Sequence, residues 1–280
     1  MDEIEKYVLK SIRNKNNRPI DDFEGYSPAE MQIILYDFFD SKCPVQIQEL
    51  KNSDYLKIPL LNQIKFLLKI IRENGQLKLT KKGNLPTKVV ADIYNQGYLK
   101  DDFIESGISK LYKEEQVQTI TLTRILLELS DLVKKRNNFL SITKKGEKII
   151  GSNHLLFQHI FDVFSRKFNW AYFDGYENEE IGQIGFGFTL LLLNKYGKKK
   201  RNVYFYAKKY IKAFDFKNNS NSDFIDNLPD AYSIRTFDRF LDYLGLIKVD
   251  EKIFGEIRNI ETTKLFEKLI KIRPHNKQLS

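Results

Sequence analysis

Leu77-Lys78-Leu79-Thr80-Lys81-Lys82-Gly83 and Leu140-Ser141-Ile142-Thr143-Lys144-Lys145-Gly146 are near copies of one heptapeptide, with their glycines 63 positions apart. In each copy alternating apolar residues read as a short strand, and the Thr reads as the cap of a following helix. The lysines then fall at a hairpin edge, and the glycine permits a tight chain reversal. A polar helical stretch precedes each copy and a new helix follows it.

Helix, short strand, capped helix is how a winged helix-turn-helix ends. The expected fold is therefore mainly α, with tandem winged-helix-like units, short β-hairpins and an additional helical segment. Residues 1–20 read as a short helix and a polar linker. Residues 21–98 form the first unit, whose helix start is signalled by Ser27-Pro28-Ala29-Glu30: Ser as cap, Pro in the first turn, Glu as the capping-box partner. Residues 99–151 form the second unit, with a helix predicted over 121–135, a turn at Arg136-Asn137-Asn138 and a strand over 139–142. Residues 152–222 read as helical hairpins, including helices over 177–195 and 202–214. Residues 223–280 repeat the pattern more loosely, with a helix at 234–244, strands at 246–249 and 257–260, a turn around Gly255, and a Thr-capped helix to 272.

Composition narrows the function classes. The chain has 280 residues, 42% of them hydrophobic, enough to fill real cores. The single cysteine, Cys43, cannot form an internal disulfide or a cysteine-based zinc site, and it suits a reducing, cytoplasmic setting. The charged residues Asp2, Glu3, Glu5 and Lys6 leave no apolar segment for a signal peptide. The longest apolar run, 181–193, is shorter than the roughly 20 residues of a membrane span and reads as a buried helix.

The net charge of +9 is concentrated: between Lys195 and Lys217 nine cations face one acid, Asp215. Within this segment Arg201, Phe205, Lys208, Lys209 and Lys212 share one helical sector, while Val203, Tyr206, Ala207, Tyr210, Ala213 and Phe214 share the opposite one. With the run Lys198-Lys199-Lys200-Arg201, this is a binding element for a polyanion such as nucleic acid. The plain alternative is a solvated lysine face over an aromatic core. The wing lysines Lys81, Lys82, Lys144 and Lys145 carry the same two readings. A basic band shared by Lys198–Arg201, Lys208 and Lys212 with Lys144 and Lys145 would favour nucleic acid. Pairing against Asp21, Asp22 and Glu24 would favour a structural role.

Base reading is poorly served. In the helix over 121–135 Arg124 is accompanied by Glu128 and Asp131. In the helix over 234–244 Arg235 and Arg239 are expected to be neutralised by Asp238 and Asp242 at helical spacing. Catalytic chemistry finds no residues. His154 and His159 lie on different helix faces, without acidic neighbours, and are expected to be structural. Gly182, Gly185 and Gly187 reverse the dinucleotide fingerprint and suit close helix packing. Cys43 has no activating histidine. No catalytic residues, metal ligands or cofactor are therefore assigned.

Leu79-Thr80-Lys81-Lys82-Gly83-Asn84-Leu85-Pro86 resembles an LTxxGNLP segment of a group of poorly characterised bacterial proteins. The stretches Asn194-Lys195-Tyr196-Gly197, Phe205-Tyr206-Ala207-Lys208-Lys209-Tyr210 and Tyr232-Ser233-Ile234-Arg235-Thr236-Phe237-Asp238-Arg239-Phe240 are similar to the same group. The resemblance spans most of residues 21–250 and implies an architecture and a bacterial origin, with no assigned activity. The leading expectation is a non-enzymatic, nucleic-acid-binding protein. The alternative is a protein-interaction scaffold built from winged-helix modules.

Overall fold

A computed structural model describes residues 3–216, 227–250 and 257–275. It is mainly α with short antiparallel sheets. The chain divides into a central unit, Leu50–Asp174 with Tyr243–Gly245, and a flanking unit, Met1–Glu49, Gly175–Asp242 and Leu246–Ser280. The boundaries expected near residues 98 and 151 do not coincide with this division. The polar loop expected at 217–223 and the turn at Gly255 lie outside the described residues.

In chain order the helices and strands are α1 (Glu3–Asn16), α2 (Pro28–Tyr36), β1 (Val45–Ile47), α3 (Asn52–Tyr55), α4 (Pro59–Glu73), β2 (Leu77–Lys78), α5 (Thr87–Tyr94) and α6 (Asp102–Glu105). Then follow α7 (Gln118–Leu129), β3 (Val133–Arg136), β4 (Phe139–Ile142), α8 (Lys144–Ile149), α9 (Asn153–Arg166), α10 (Phe186–Tyr196), β5 (Arg201–Asn202) and α11 (Val203–Ala213). The last are α12 (Leu228–Ser233), a π-helical continuation (Ile234–Leu241), β6 (Ile247–Val249), β7 (Asn259–Thr262), α13 (Lys264–Leu269) and β8 (Ile270–Ile272).

In the central unit Pro59 opens α4, whose Leu60, Leu61, Ile64, Leu67, Leu68 and Ile71 are all buried. At about 1.5–3 kcal/mol for each buried aliphatic side chain, this stripe is a main source of the unit's stability. α7 packs on α4, α5 and α9. The one polar residue in the buried face of α4, Gln63, donates to the Thr119 carbonyl at 3.0 Å and to Thr123 Oγ1 at 2.8 Å.

The repeated heptapeptide does not end two separate wings. Its two copies lie on neighbouring strands of one three-stranded sheet, order β2-β4-β3, with Leu77 opposite Leu140 and Lys78 opposite Phe139. They also fold differently beyond the strand. Thr143 caps α8, its Oγ1 accepting from the Gly146 N–H at 2.9 Å. Thr80 instead closes a tight loop: its N–H donates to the Asn84 carbonyl at 2.8 Å, and Gly83 sits at φ +81°. Pro86 explains the difference, because a proline bars helical backbone in the residue before it, and helix α5 starts only at Thr87.

The helix expected over 121–135 stops at Leu129. Asp131 takes a left-handed conformation (φ 57°), and Val133–Arg136 forms the first strand of a hairpin. Asn137 and Asn138, at φ 51° and 60°, make its two-residue turn, which demands positive φ at both places.

In the flanking unit the capping box at α2 forms as expected: Ser27 N–H and Oγ both bond to Glu30 Oε2, at 2.8 and 2.9 Å. α10 begins at Phe186, later than predicted, because Gly182 and Gly185 adopt left-handed backbone. Gly187 is the close-packing glycine: a Cβ there would stand 2.8 Å from Ile34 and Phe38 side chains. The Thr263-capped helix is also shorter than predicted, and its last residues form β8, which pairs with β1. A second three-stranded sheet has the order β5-β7-β6.

Apart from the four-residue α6, both sheets follow one connectivity: helix, strand, helix, helix, strand, strand, with the last strand in the middle. α4-β2-α5-α7-β3-β4 repeats as α10-β5-α11-α12-β6-β7. After the third helix, Asp131 at φ 57° corresponds to Gly245 at φ 66°. The capping threonines correspond too, with Thr143 N–H donating to the Leu132 carbonyl and Thr263 N–H to that of Leu246, both at 3.0 Å.

Candidate nucleic-acid interface

Four of the eight described cations of the basic segment pair with acids of the same unit. Glu24 is nearly buried and receives Lys195 Nζ at 2.7 Å, Lys209 Nζ at 2.6 Å and the Tyr196 hydroxyl at 2.6 Å. Burial pushes its carboxyl up, but the hydrogen bonds from Lys195, Lys209 and Tyr196 outweigh this and leave the pKa lowered. Lys212 pairs with Asp22 at 2.6 Å, and Lys200 with Asp250 at 2.6 Å. The Arg201 guanidinium lies 4.8 Å from the centroid of Phe205 and 5.5 Å from that of Tyr196. Of the predicted residues here, Lys198, Lys199 and Lys208 remain exposed and form no ion pair with a described residue. The Asp22 and Glu24 contacts are those a structural role requires.

Neither third helix offers an open reading face. In α7 only Gln118 and Leu129 are exposed, and Arg124 is held by Glu114 and Glu128, each at 2.5 Å. In the π-helical stretch no residue is exposed. Arg235 does not sit on an open outer face. It is fully buried and donates to the carbonyls of Asn178 at 2.5 Å, Ile181 at 3.3 Å and Tyr176 at 3.3 Å. Asp238 instead accepts both arms of Arg258, at 2.7 and 2.8 Å. A groove-reading helix needs free donors along an outer face, and these two helices have spent theirs inside the protein.

The sheet of the central unit is different. Residues directly opposite across antiparallel strands share a face. Leu77, Leu140 and Val133 are buried, so Leu77, Val133, Leu140 and Ile142 define the core side. The outer side carries Lys78, Phe139 and Arg136 in one row, with Lys134 opposite Ser141 beside it. Lys78, Lys134 and Arg136 are exposed and form no ion pair with a described residue, and the three strands contain no acidic residue. Lys135 joins this sheet to the Thr-Lys-Lys-Gly loop, its Nζ donating to the Gly83 carbonyl at 3.1 Å. Of the predicted wing lysines, Lys81, Lys82 and Lys144 are exposed. Lys145 is partly engaged, donating to the Ser130 carbonyl at 3.1 Å, with Asp131 at 3.7 Å.

Sequence reasoning missed Lys134 and Lys135 because extending α7 to residue 135 hid them inside a helix; Arg136 was read as part of the turn, and Lys78, on an expected strand, was not weighed as a binding cation. The signal that could have found it was Asn137-Asn138, a two-residue hairpin turn flanked by Val133-Lys-Lys-Arg and Phe139-Leu-Ser-Ile.

The remaining candidates have structural partners. Tyr55 hydroxyl meets His154 Nδ1 at 2.9 Å, and His159 Nε2 meets the Ser130 carbonyl at 2.6 Å. Cys43 is fully buried, and burial pushes its thiol up to about 11. Among the described residues no cluster of His, Cys, Asp and Glu could hold a metal ion, and no helix is long and apolar enough to cross a membrane.

Residues 57–155, about a third of the chain, match the family model described as the Y4jL N-terminal domain. The matched stretch runs from α4 into α9 and so contains the whole β2-β4-β3 sheet. No curated protein and no solved structure matches the chain.

Proposed function

We propose that this chain is a non-enzymatic, cytoplasmic nucleic-acid-binding protein built from two winged-helix-like modules, in which the central unit does the binding. The observation that carries this reading is the outer face of the β2-β4-β3 sheet: Lys78, Lys134 and Arg136 exposed, with no acid on the three strands. Lys81, Lys82 and Lys144 extend the same chemistry into the adjoining loop and α8. The strand order and the helix-strand connectivity support the winged-helix-like assignment. The LTKKGNLP segment serves as the loop that seats the sheet: Glu114 accepts the Leu85 N–H at 2.5 Å and Glu115 accepts Asn84 Nδ2 at 2.6 Å.

Such a face contacts phosphates and reads little sequence. Each neutralised phosphate adds roughly 0.7–0.9 to the slope of log K against log salt, so three to five contacts produce a steep dependence. Fluorescence anisotropy with labelled duplex DNA, single-stranded DNA and RNA across a salt series tests it. The combined change Lys78→Ala, Lys134→Ala, Arg136→Ala should weaken binding and flatten the slope, whereas Lys198→Ala, Lys199→Ala, Lys208→Ala should change little. Absence of binding at low salt sinks the proposal. The closed charges of the flanking unit would then favour the second reading, a scaffold for a protein partner.

A further inference from the structure

The row Lys78–Phe139–Arg136 places an aromatic ring between two cations on the solvent side of a sheet. Phe139 is half-buried, although an outward strand position next to a two-residue turn normally takes a polar residue. The next pair on this face of β4 and β3 is Ser141 and Lys134, both polar. Neighbouring strands lie about 4.8 Å apart, so the backbones of Lys78 and Arg136 flank that of Phe139 by roughly that distance on each side.

Resting on the phosphate-binding reading above, we infer that the ligand of this face is single-stranded nucleic acid, with a base stacked on Phe139 and the adjoining phosphates on Lys78 and Arg136. A duplex keeps its base faces covered by stacking and offers a flat sheet only its backbone. An unpaired strand offers both, and a basic surface carrying an aromatic platform is the chemistry that takes it. The engaged third helices agree with this, because Arg124 and Arg235, which could have read a groove, are held inside the protein. The corresponding row of the flanking unit, Asn202–Asn259–Asp250, has neither ring nor cation, which confines the site to the central unit.

The test uses the full chain and four probes of equal length: oligo-dT, oligo-U, an abasic phosphodiester strand and a duplex. Phe139→Leu should weaken oligo-dT and oligo-U about tenfold, in line with the loss of one stacked base, and leave the abasic strand unchanged. Lys78→Ala with Arg136→Ala should weaken all four. The chain has one tryptophan, Trp170, which is buried and gives its indole N–H to the Phe164 carbonyl at 2.7 Å. Phe139→Trp therefore adds a second indole at the position itself, whose emission should be quenched by oligo-dT and not by the abasic strand. This second variant decides the matter if Phe139→Leu fails to fold. Equal binding of wild type and Phe139→Leu to oligo-dT, or quenching by neither strand, overturns the stacking and leaves the phosphate reading standing. No binding to any probe overturns both.

Discussion

Across the sheet of the central unit runs Lys78–Phe139–Arg136, and across that of the flanking unit, in the same strand order, runs Asn202–Asn259–Asp250. The next pair repeats the contrast. Lys134 faces Ser141 in the first sheet, whereas Lys248 faces Glu261 in the second, 3.5 Å away. In the flanking sheet Asn259 Nδ2 also donates to Asp250, which Lys200 approaches on its other oxygen. One connectivity thus carries two electrostatic outcomes: a face whose charges pair with one another and a face whose cations have no acid on the same strands. Counting cations along the chain ranks the flanking segment first. What sets the central sheet apart is its outer face, where Lys78, Lys134 and Arg136 stand with no acid on the same strands.

The comparison can be broken where its two third helices differ most. Arg235→Ala removes the donors to three buried carbonyls and should destabilise the flanking unit by about 3–5 kcal/mol, the penalty for breaking a buried charged network. Arg124→Ala acts on a less buried group and should cost less, and denaturant melts of the two variants would rank them. A reversed ranking would mean that Arg235 is not the anchor of its unit.

Next comes the helix after each sheet. Gly146 in α8 stands where α13 has Phe266, and a Cβ on Gly146 would lie 2.3 Å from the Leu132 carbonyl oxygen. Gly146→Ala should therefore cost about 2 kcal/mol through overpacking and disturb the sheet beneath it, visible as a lower melting temperature. A neutral result would show that α8 can move away from β3 freely.

The electrostatic contrast is sharpened by exchanging its key pair. Ser141→Glu gives Lys134 the partner that Lys248 already has. It should lower affinity for oligo-dT about tenfold, equivalent to roughly 1.4 kcal/mol. Glu261→Ser should leave binding near that of the wild type. If Ser141→Glu binds normally, the outer face is not the interface.

Smaller still is the left-handed residue after the third helix. Gly245→Ala should cost about 1 kcal/mol, because only Gly takes that conformation without strain. Asp131, at the same place after α7, shows that a short polar side chain is tolerated there.

The smallest effect concerns acid stability. The folded pKa of Glu24 lies below the ordinary 4.5, so its pairing is fully present above that value and is lost as pH falls through the folded value. The stability difference between wild type and Glu24→Gln should shrink below pH 4.5 and stay constant at neutral pH, as thermal melts across pH would record.

Much of the local structure was legible in the chain. The Ser27 capping box, Pro59 opening α4, its buried stripe, Thr143 as a cap and the mainly α class all follow from local stereochemistry and periodicity. The acidic stretch at Asp22 and Glu24 was marked as the partner that would turn the basic segment structural, and Lys195, Lys209 and Lys212 pair with it. Less legible was the end of α7, where Leu129-Ser-Asp-Leu-Val-Lys-Lys suits a continuing helix and a strand alike. The neighbour that decides is β4, which supplies the hydrogen bonds.

By itself the sequence determined which residues cap, turn and bury, because those preferences are settled within a few positions of backbone. Tertiary structure alone decided that the two copies of the heptapeptide share one sheet and which lysines find an acid. Strand pairing and ion pairing join residues far apart in the chain. Their geometry exists only once the cores have closed beneath them.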